Sequence, residues 1–181
     1  MRKLLFAFLL ISSPMLHAQS LFDFQTNSDL NSWRIINDGV MGGLSEGAIA
    51  LTEDGHGKFH GTVSLENYGG FTSVRCALPQ TTVAPNTVAL LRVKGDGKSY
   101  QFRVKHQTSD YYTYVTTFAT TGDWQTIEIP LSEMIPQWRG RRVDLPTFDR
   151  TSITEMTLLI ANKKNESFEL LVNEISIGER E

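Results

Sequence analysis

Apolar and polar side chains alternate at period two through most of the chain, and helical periodicity is nearly absent. The alternation predicts strands at Val88 to Lys94, Tyr100 to His106, Tyr111 to Phe118, Trp124 to Ile129, Met156 to Ala161 and Phe168 to Ile177. Turn formers separate them, among them Gly95-Asp96-Gly97, Gly122-Asp123 and the polar run Asn162 to Ser167. Shorter strands are expected at Leu21 to Phe24, Ala48 to Thr52, His56 to Leu65 and Phe71 to Ala77, with a helical turn between Gln25 and Asn31. The proline-bearing stretch Leu131 to Arg150 reads as a long ordered loop with one helical turn at Ser132 to Met134. Many short strands at nearly even spacing predict an all-β fold, two antiparallel sheets packed as a β-sandwich of jelly-roll topology. No internal repeat, low-complexity tract or linker divides the chain, so one domain with one core is expected.

The start of the chain obeys a different logic. Met1-Arg2-Lys3 is basic, Leu4 to Ile11 is apolar but too short to span a bilayer, and Pro14 breaks the helix after that apolar run. With Ala18 as the small residue before a cut, residues 1–18 read as a signal peptide and residues 19–181 as the mature domain, exported to the periplasm or secreted. A retained anchor is the alternative. A lipoprotein is excluded, because no cysteine lies near the cut, and the mature chain contains no apolar run long enough for a transmembrane helix.

Losing Arg2 and Lys3 with the leader moves the formal charge from −3 to −5, since no acidic residue leaves with them. That balance lacks the basic excess nucleic-acid binding needs, and gives no reason to expect an anionic membrane surface as partner. The single cysteine, Cys76, has no internal partner and sits in a strand pattern, as a small buried apolar residue does.

Several motifs suggest chemistry and fail on context. Gly43-Leu44-Ser45-Glu46-Gly47 matches the spacing of a nucleophile elbow, but strand and turn residues follow Ser45 where a helix is required. Gly97-Lys98-Ser99 resembles the end of a phosphate loop, yet Arg92 stands where the first glycine belongs, and Gly95-Asp96-Gly97 lacks the third glycine of a dinucleotide fingerprint. His56 and His60, four apart on a strand, lie about 13 Å apart and cannot share an ion, and no familiar zinc spacing occurs. No metal and no cofactor is expected, with a loop-held calcium left open. Carboxylate pairs such as Glu66 with Asp38, or Asp144 with Asp149, have the residue types for glycoside hydrolysis, but loop carboxylates are more often solvated or capping.

Residue types suited to binding remain. In Tyr111-Tyr112-Thr113-Tyr114-Val115 alternate residues face opposite ways. An outward Tyr112 set would offer a platform for stacking on sugar rings; otherwise core and loops cover both faces. Trp138, Arg139, Arg141 and Arg142 form the most basic and aromatic short segment, of the composition that anchors protein interfaces. Equally, Trp138 plugs an edge of the sandwich and the arginines are solvated.

Three stretches carry a more specific resemblance: Trp33-Arg34-Ile35-Ile36-Asn37-Asp38-Gly39-Val40-Met41-Gly42-Gly43-Leu44-Ser45; Phe59-His60-Gly61-Thr62-Val63-Ser64-Leu65-Glu66-Asn67-Tyr68-Gly69-Gly70-Phe71-Thr72-Ser73-Val74-Arg75; and Gly95-Asp96-Gly97-Lys98-Ser99-Tyr100-Gln101-Phe102-Arg103. In this order they resemble the complex I intermediate-associated protein 30 family. Trp124 leading to Ile129-Pro130, Pro136 to Arg141 and the closing strand extend the similarity over nearly the whole mature chain. The resemblance implies a galactose-binding-like jelly roll. It also implies a role in assembly, because eukaryotic members help to build respiratory complex I, but the leader here is not the arginine-rich amphipathic kind that enters mitochondria.

The expectation is therefore an exported module that is not an enzyme and binds a protein partner or, alternatively, a carbohydrate. Asp38, Asn67, Arg75 and Arg103 supply donors and acceptors for hydroxyl-rich or carboxylate ligands, and Trp138 with Arg139 supplies an interface anchor. The glycine-rich loops around Asp38 and Asn67 either contact the ligand or brace one another.

Overall fold

The structure, a computed structural model, describes residues 18–180. The leader proposed from the sequence lies outside the described residues except for Ala18. Among the described residues, thirteen strands form two antiparallel sheets. They are β1 (Gln19–Asp23), β2 (Trp33–Asn37), β3 (Glu46–Leu51), β4 (Gly57–Val63), β5 (Thr72–Thr82), β6 (Thr87–Lys94), β7 (Ser99–Lys105), β8 (Thr113–Ala119), β9 (Gln125–Pro130), β10 (Ile135–Trp138), β11 (Arg141–Arg142), β12 (Ser152–Ile160) and β13 (Glu166–Glu179). No helix among the described residues is long and apolar enough to cross a membrane.

One sheet has six strands in the order β3-β4-β13-β6-β9, with β1 also on β13. Its spine is β13, 14 residues long, which pairs with β6 along one edge and with β4 and then β1 along the other. The other sheet has seven strands in the order β11-β10-β8-β7-β12-β5-β2. Within it, β7 shows why these residues make strands. Tyr100, Phe102 and Val104 point inward and are buried, while Ser99, Gln101, Arg103 and Lys105 alternate with them on the outside.

Phe59, Leu91, Leu170 and Ile175 from the first sheet meet Val74, Phe102, Met156 and Leu158 from the second in one continuous core. Each such side chain contributes about 1.5–3 kcal/mol by leaving water. Phe22, Phe24 and Trp33 pack ring to ring at centroid separations of 4.6 to 5.5 Å where the chain passes from one sheet to the other. Elsewhere Phe148 lies 4.9 Å from Tyr114, and the Tyr114 hydroxyl accepts from Arg150 Nε at 3.2 Å.

Strand boundaries in the middle and end of the chain match the sequence pattern within a few residues. Two segments differ. The expected loop Leu131 to Arg150 contains the hairpin β10–β11, in which Gln137 pairs with Arg142 and Trp138 with Arg141, after a 310 turn at Leu131–Glu133. A strand, β2, occupies the start of the first family motif, and the helical turn expected before it is a 310 turn at Leu30–Ser32 capped by the Asp29 carboxylate.

Candidate functional site

The glycine-rich loops converge on one carboxylate. Asp38 follows directly on β2 and is buried. Its Oδ2 accepts from Gly70 N at 2.6 Å, from Phe71 N at 3.2 Å and from Ser45 Oγ at 2.5 Å, while Oδ1 accepts from Ser45 N at 3.1 Å. Burial by itself would push the Asp38 carboxyl up. The hydrogen bonds from Ser45, Gly70 and Phe71 outweigh it and hold the group below its ordinary range. The glycines here are a packing requirement, since a Cβ on Gly43 would collide with the Asp38 carboxylate and one on Gly69 would come within 2.7 Å of its Oδ2. Ser45 is tied to Asp38 and to the backbone of Ser64 at the head of β3, and no helix follows it.

Asn67 stands in the neighbouring loop in a left-handed conformation, φ 53°, followed by the exposed Tyr68, also left-handed. Asn tolerates that conformation through its short polar side chain. Asp38 and Asn67 thus shape one rim of the sandwich, and the Asp38 carboxylate is fully occupied in bracing the loops.

The other two polar candidates come together on the outside of the seven-stranded sheet. Strand register places Ile135, Val115, Arg103, Thr157, Arg75 and Arg34 in one row across β10, β8, β7, β12, β5 and β2, with Thr157 opposite both Arg103 and Arg75. The adjacent rows add Gln101, Leu159 and Ser73 on one side and Lys105, Glu155 and Ala77 on the other. These side chains point away from the core, yet Ser73, Thr157 and Glu155 are only 0, 3 and 4% exposed. These outward polar groups are shielded by the longer side chains around them.

On this face Arg34 reaches the buried Glu155 Oε2 at 3.2 Å, and Glu155 Oε1 has no partner among the described residues. Arg103 donates from Nε and Nη2 to Gln101 Oε1. Its guanidinium is held well below the ordinary arginine range, at about 10, by burial first and then by the charge on Arg75.

Trp138 and Arg139 sit on the β10–β11 hairpin at the edge of this sheet. Trp138 is 46% exposed, the Arg139 guanidinium lies 4.8 Å above its ring, and Arg139 turns the chain with φ 49°. Tyr111, 64% exposed, packs edge-on to Trp138 with centroids 6.0 Å apart. The outward Tyr112 platform suggested by the sequence is not formed. Tyr112 and Tyr114 are buried against each other and the core, Thr113 and Val115 lie on the opposite face of β8, and Tyr111 stands in the loop before that strand. Sequence reasoning missed Arg34, Glu155 and Thr157, whose alternation with core residues on their strands carried the only signal.

Among the described residues, no three His, Cys, Asp or Glu side chains converge as a metal site would require. A cleft of about 420 Å³ lies between Gln19–Leu21 and Leu78–Thr82, away from the candidate site residues, and contains no ionisable side chain.

The chain matches the family described as Complex I intermediate-associated protein 30 over residues 22–172. It is 30% identical to an uncharacterized protein of Schizosaccharomyces pombe, over 86% of this chain and 81% of that one. It is 23% identical to the mitochondrial complex I intermediate-associated protein 30 of Mus musculus, over 72% of this chain but only 47% of the mouse protein, so it spans about half of that relative. In structure it resembles the family 11 carbohydrate-binding module from Clostridium thermocellum in complex with a β-1,3-1,4-mixed-linked tetrasaccharide, with TM-score 0.67, 18% identity and coverage of 92% of this chain and 98% of that one. At that identity the likeness establishes the fold. On the sequence match, this β-sandwich belongs to the complex I intermediate-associated protein 30 family.

Proposed function

We propose that the protein is a non-catalytic binding module that takes an oligosaccharide across the outer face of its seven-stranded sheet. The observation that carries this reading is the shielded polar row itself: outward side chains that can exchange hydrogen bonds with sugar hydroxyls, namely Gln101, Thr157 and Glu155, sunk below a rim of arginines. The aromatic pair Tyr111–Trp138 at the edge of the same sheet supplies an apolar surface of the kind that packs on sugar rings. The likeness to a carbohydrate-binding module supports the reading by analogy of fold. Export, which the basic and apolar start of the chain supports, would bring such a module to polysaccharide outside the cytoplasm.

The test is a glycan array with the purified protein, then calorimetry on the best ligands. Tyr111→Ala and Trp138→Ala should each weaken binding about tenfold, roughly 1.4 kcal/mol, with the thermal midpoint unchanged. An array with no signal above background rejects the proposal.

A second reading, a protein-binding or assembly role in keeping with the family, is favoured by the exposed Trp138 with Arg139 stacked upon it. It predicts that alanine at both positions abolishes capture of a partner from envelope extracts without unfolding the domain. Unchanged capture would count against it.

A further inference from the structure

The outer face of the seven-stranded sheet carries a charge pattern that the rest of the chain does not. The whole protein has a formal charge of −3. At the outward strand positions of this sheet, by contrast, Arg34, Arg75, Arg103, Lys105 and Arg142 face a single carboxylate, Glu155. Arg34 already engages that carboxylate. In the register Lys105 stands opposite Glu155, and its ammonium group donates to Thr108 O at 3.1 Å.

The central pair is the part that calls for a ligand. Arg75 and Arg103 flank Thr157, one strand away on either side, which sets their backbones about 10 Å apart. Both side chains rise from the same face of the sheet on either side of the threonine, and the charge of Arg75 is felt at Arg103. Among the described residues nothing accepts from the Arg75 guanidinium, and its Nε is buried without a partner. Arg103 has two of its donors on Gln101 and the others free. Two like charges are held on either side of Thr157, and among the described residues neither is paired with a carboxylate. Folding pays a desolvation and repulsion penalty for that arrangement, and one bound anion would relieve it.

Arginine's planar fork matches a carboxylate in two parallel hydrogen bonds. We infer that the Arg75–Arg103 pair is the anion subsite of the sugar-binding face, and that the preferred glycan carries a carboxylate, as a uronic acid does. The inference rests on the oligosaccharide reading above and narrows it. Neutral glucans would leave the pair uncompensated, whereas a hexuronate residue seated over Thr157 would place its carboxylate between the two guanidinium groups and its hydroxyls within reach of Gln101 and Glu155.

The experiment tracks the Nε–H resonances of Arg75 and Arg103 in the 15N-labelled protein during titration with glucuronate and, separately, glucose. It is paired with calorimetry on uronate oligosaccharides and their carboxyl-reduced counterparts. The expected result is a shift of both arginine resonances with glucuronate only, and at least tenfold tighter binding of the acidic oligosaccharides. Arg75→Gln and Arg103→Gln should each erase that preference while the thermal midpoint holds or rises, because a desolvated like charge has been removed. Arg103→Lys, which keeps the charge and loses the fork, serves as the conservative control and should keep part of the preference. Equal or tighter binding of the reduced sugars, with arginine resonances unmoved, overturns the inference and leaves the oligosaccharide reading intact. Silence of both the arginines and the Trp138 indole to every glycan overturns both.

Discussion

The carboxylate of Asp38 and the backbone N–H of Gly70, 32 residues apart in sequence, meet at 2.6 Å. Through this bond, and those from Phe71 and Ser45, one side chain locks the loop after β2 to the loop before β5. Replacing Asp38 with alanine leaves several shielded donors without an acceptor, and should cost about 3 kcal/mol of stability, read as a lower urea midpoint with an unchanged slope. Asp38→Asn, which keeps one acceptor oxygen, should cost less.

The same carboxylate makes stability depend on acid. Its folded-state pKa is depressed below the ordinary value of 3.8, so its contribution is fully present above that value and is lost as pH falls through the lower, folded one. Unfolding free energy should be level from pH 7 to about 5 as far as this group is concerned, then decline below about 4. In Asp38→Asn that acid limb should be shallower. An identical limb in the variant would show that other groups govern it.

Phe102 is completely buried at the centre of β7, packed where the two sheets face each other. Phe102→Ala should lower stability by roughly 3–5 kcal/mol through lost burial and the cavity left behind. A change under 1 kcal/mol would mean the sheets do not pack as described.

Cys76 is the only cysteine of the chain and points into the core. Burial first, opposed by a hydrogen bond to Ser32 and assisted by the negative charge of Glu155, pushes its thiol up to about 11. In the native protein at pH 8 it should resist a thiol-specific dye over hours, and react within minutes in denaturant. Rapid native labelling would contradict the placement of β5.

If residues 1–18 are a cleaved leader, intact-mass and N-terminal analysis of protein expressed with Met1 to Ala18 in place should find Gln19 as the first residue in the exported fraction. A chain retaining Met1 in that fraction would reject a cleaved leader.

Much of this architecture was written in the alternation of side chains, because both sheets have one face on the core and one face in water. β7 reads almost ideally, Tyr100-Gln101-Phe102-Arg103-Val104, and its outward arginine was recognisable as a binding candidate. What alternation cannot encode is which strands become neighbours. That Arg75 and Arg103 share Thr157 depends on β12 lying between β5 and β7, a pairing over some eighty residues of chain. β10 escaped notice because Pro136 interrupts its pattern. β2 escaped because it is an edge strand whose Arg34, Ile35, Ile36 and Asn37 all retain solvent contact, leaving no clean two-residue period. Asp38 looked equally suited to a ligand and to a brace. Only the arrival of Gly70 and Phe71 from a distant loop distinguishes the two.

The spine β13 follows in sequence every strand that it holds in place, β1, β4 and β6. During synthesis the pairs β3–β4 and β6–β9 therefore stay unjoined, each with an open edge, until β13 emerges. A polypeptide that stops short of Glu166 lacks the strand that joins the two halves of this sheet, and should not close the sandwich.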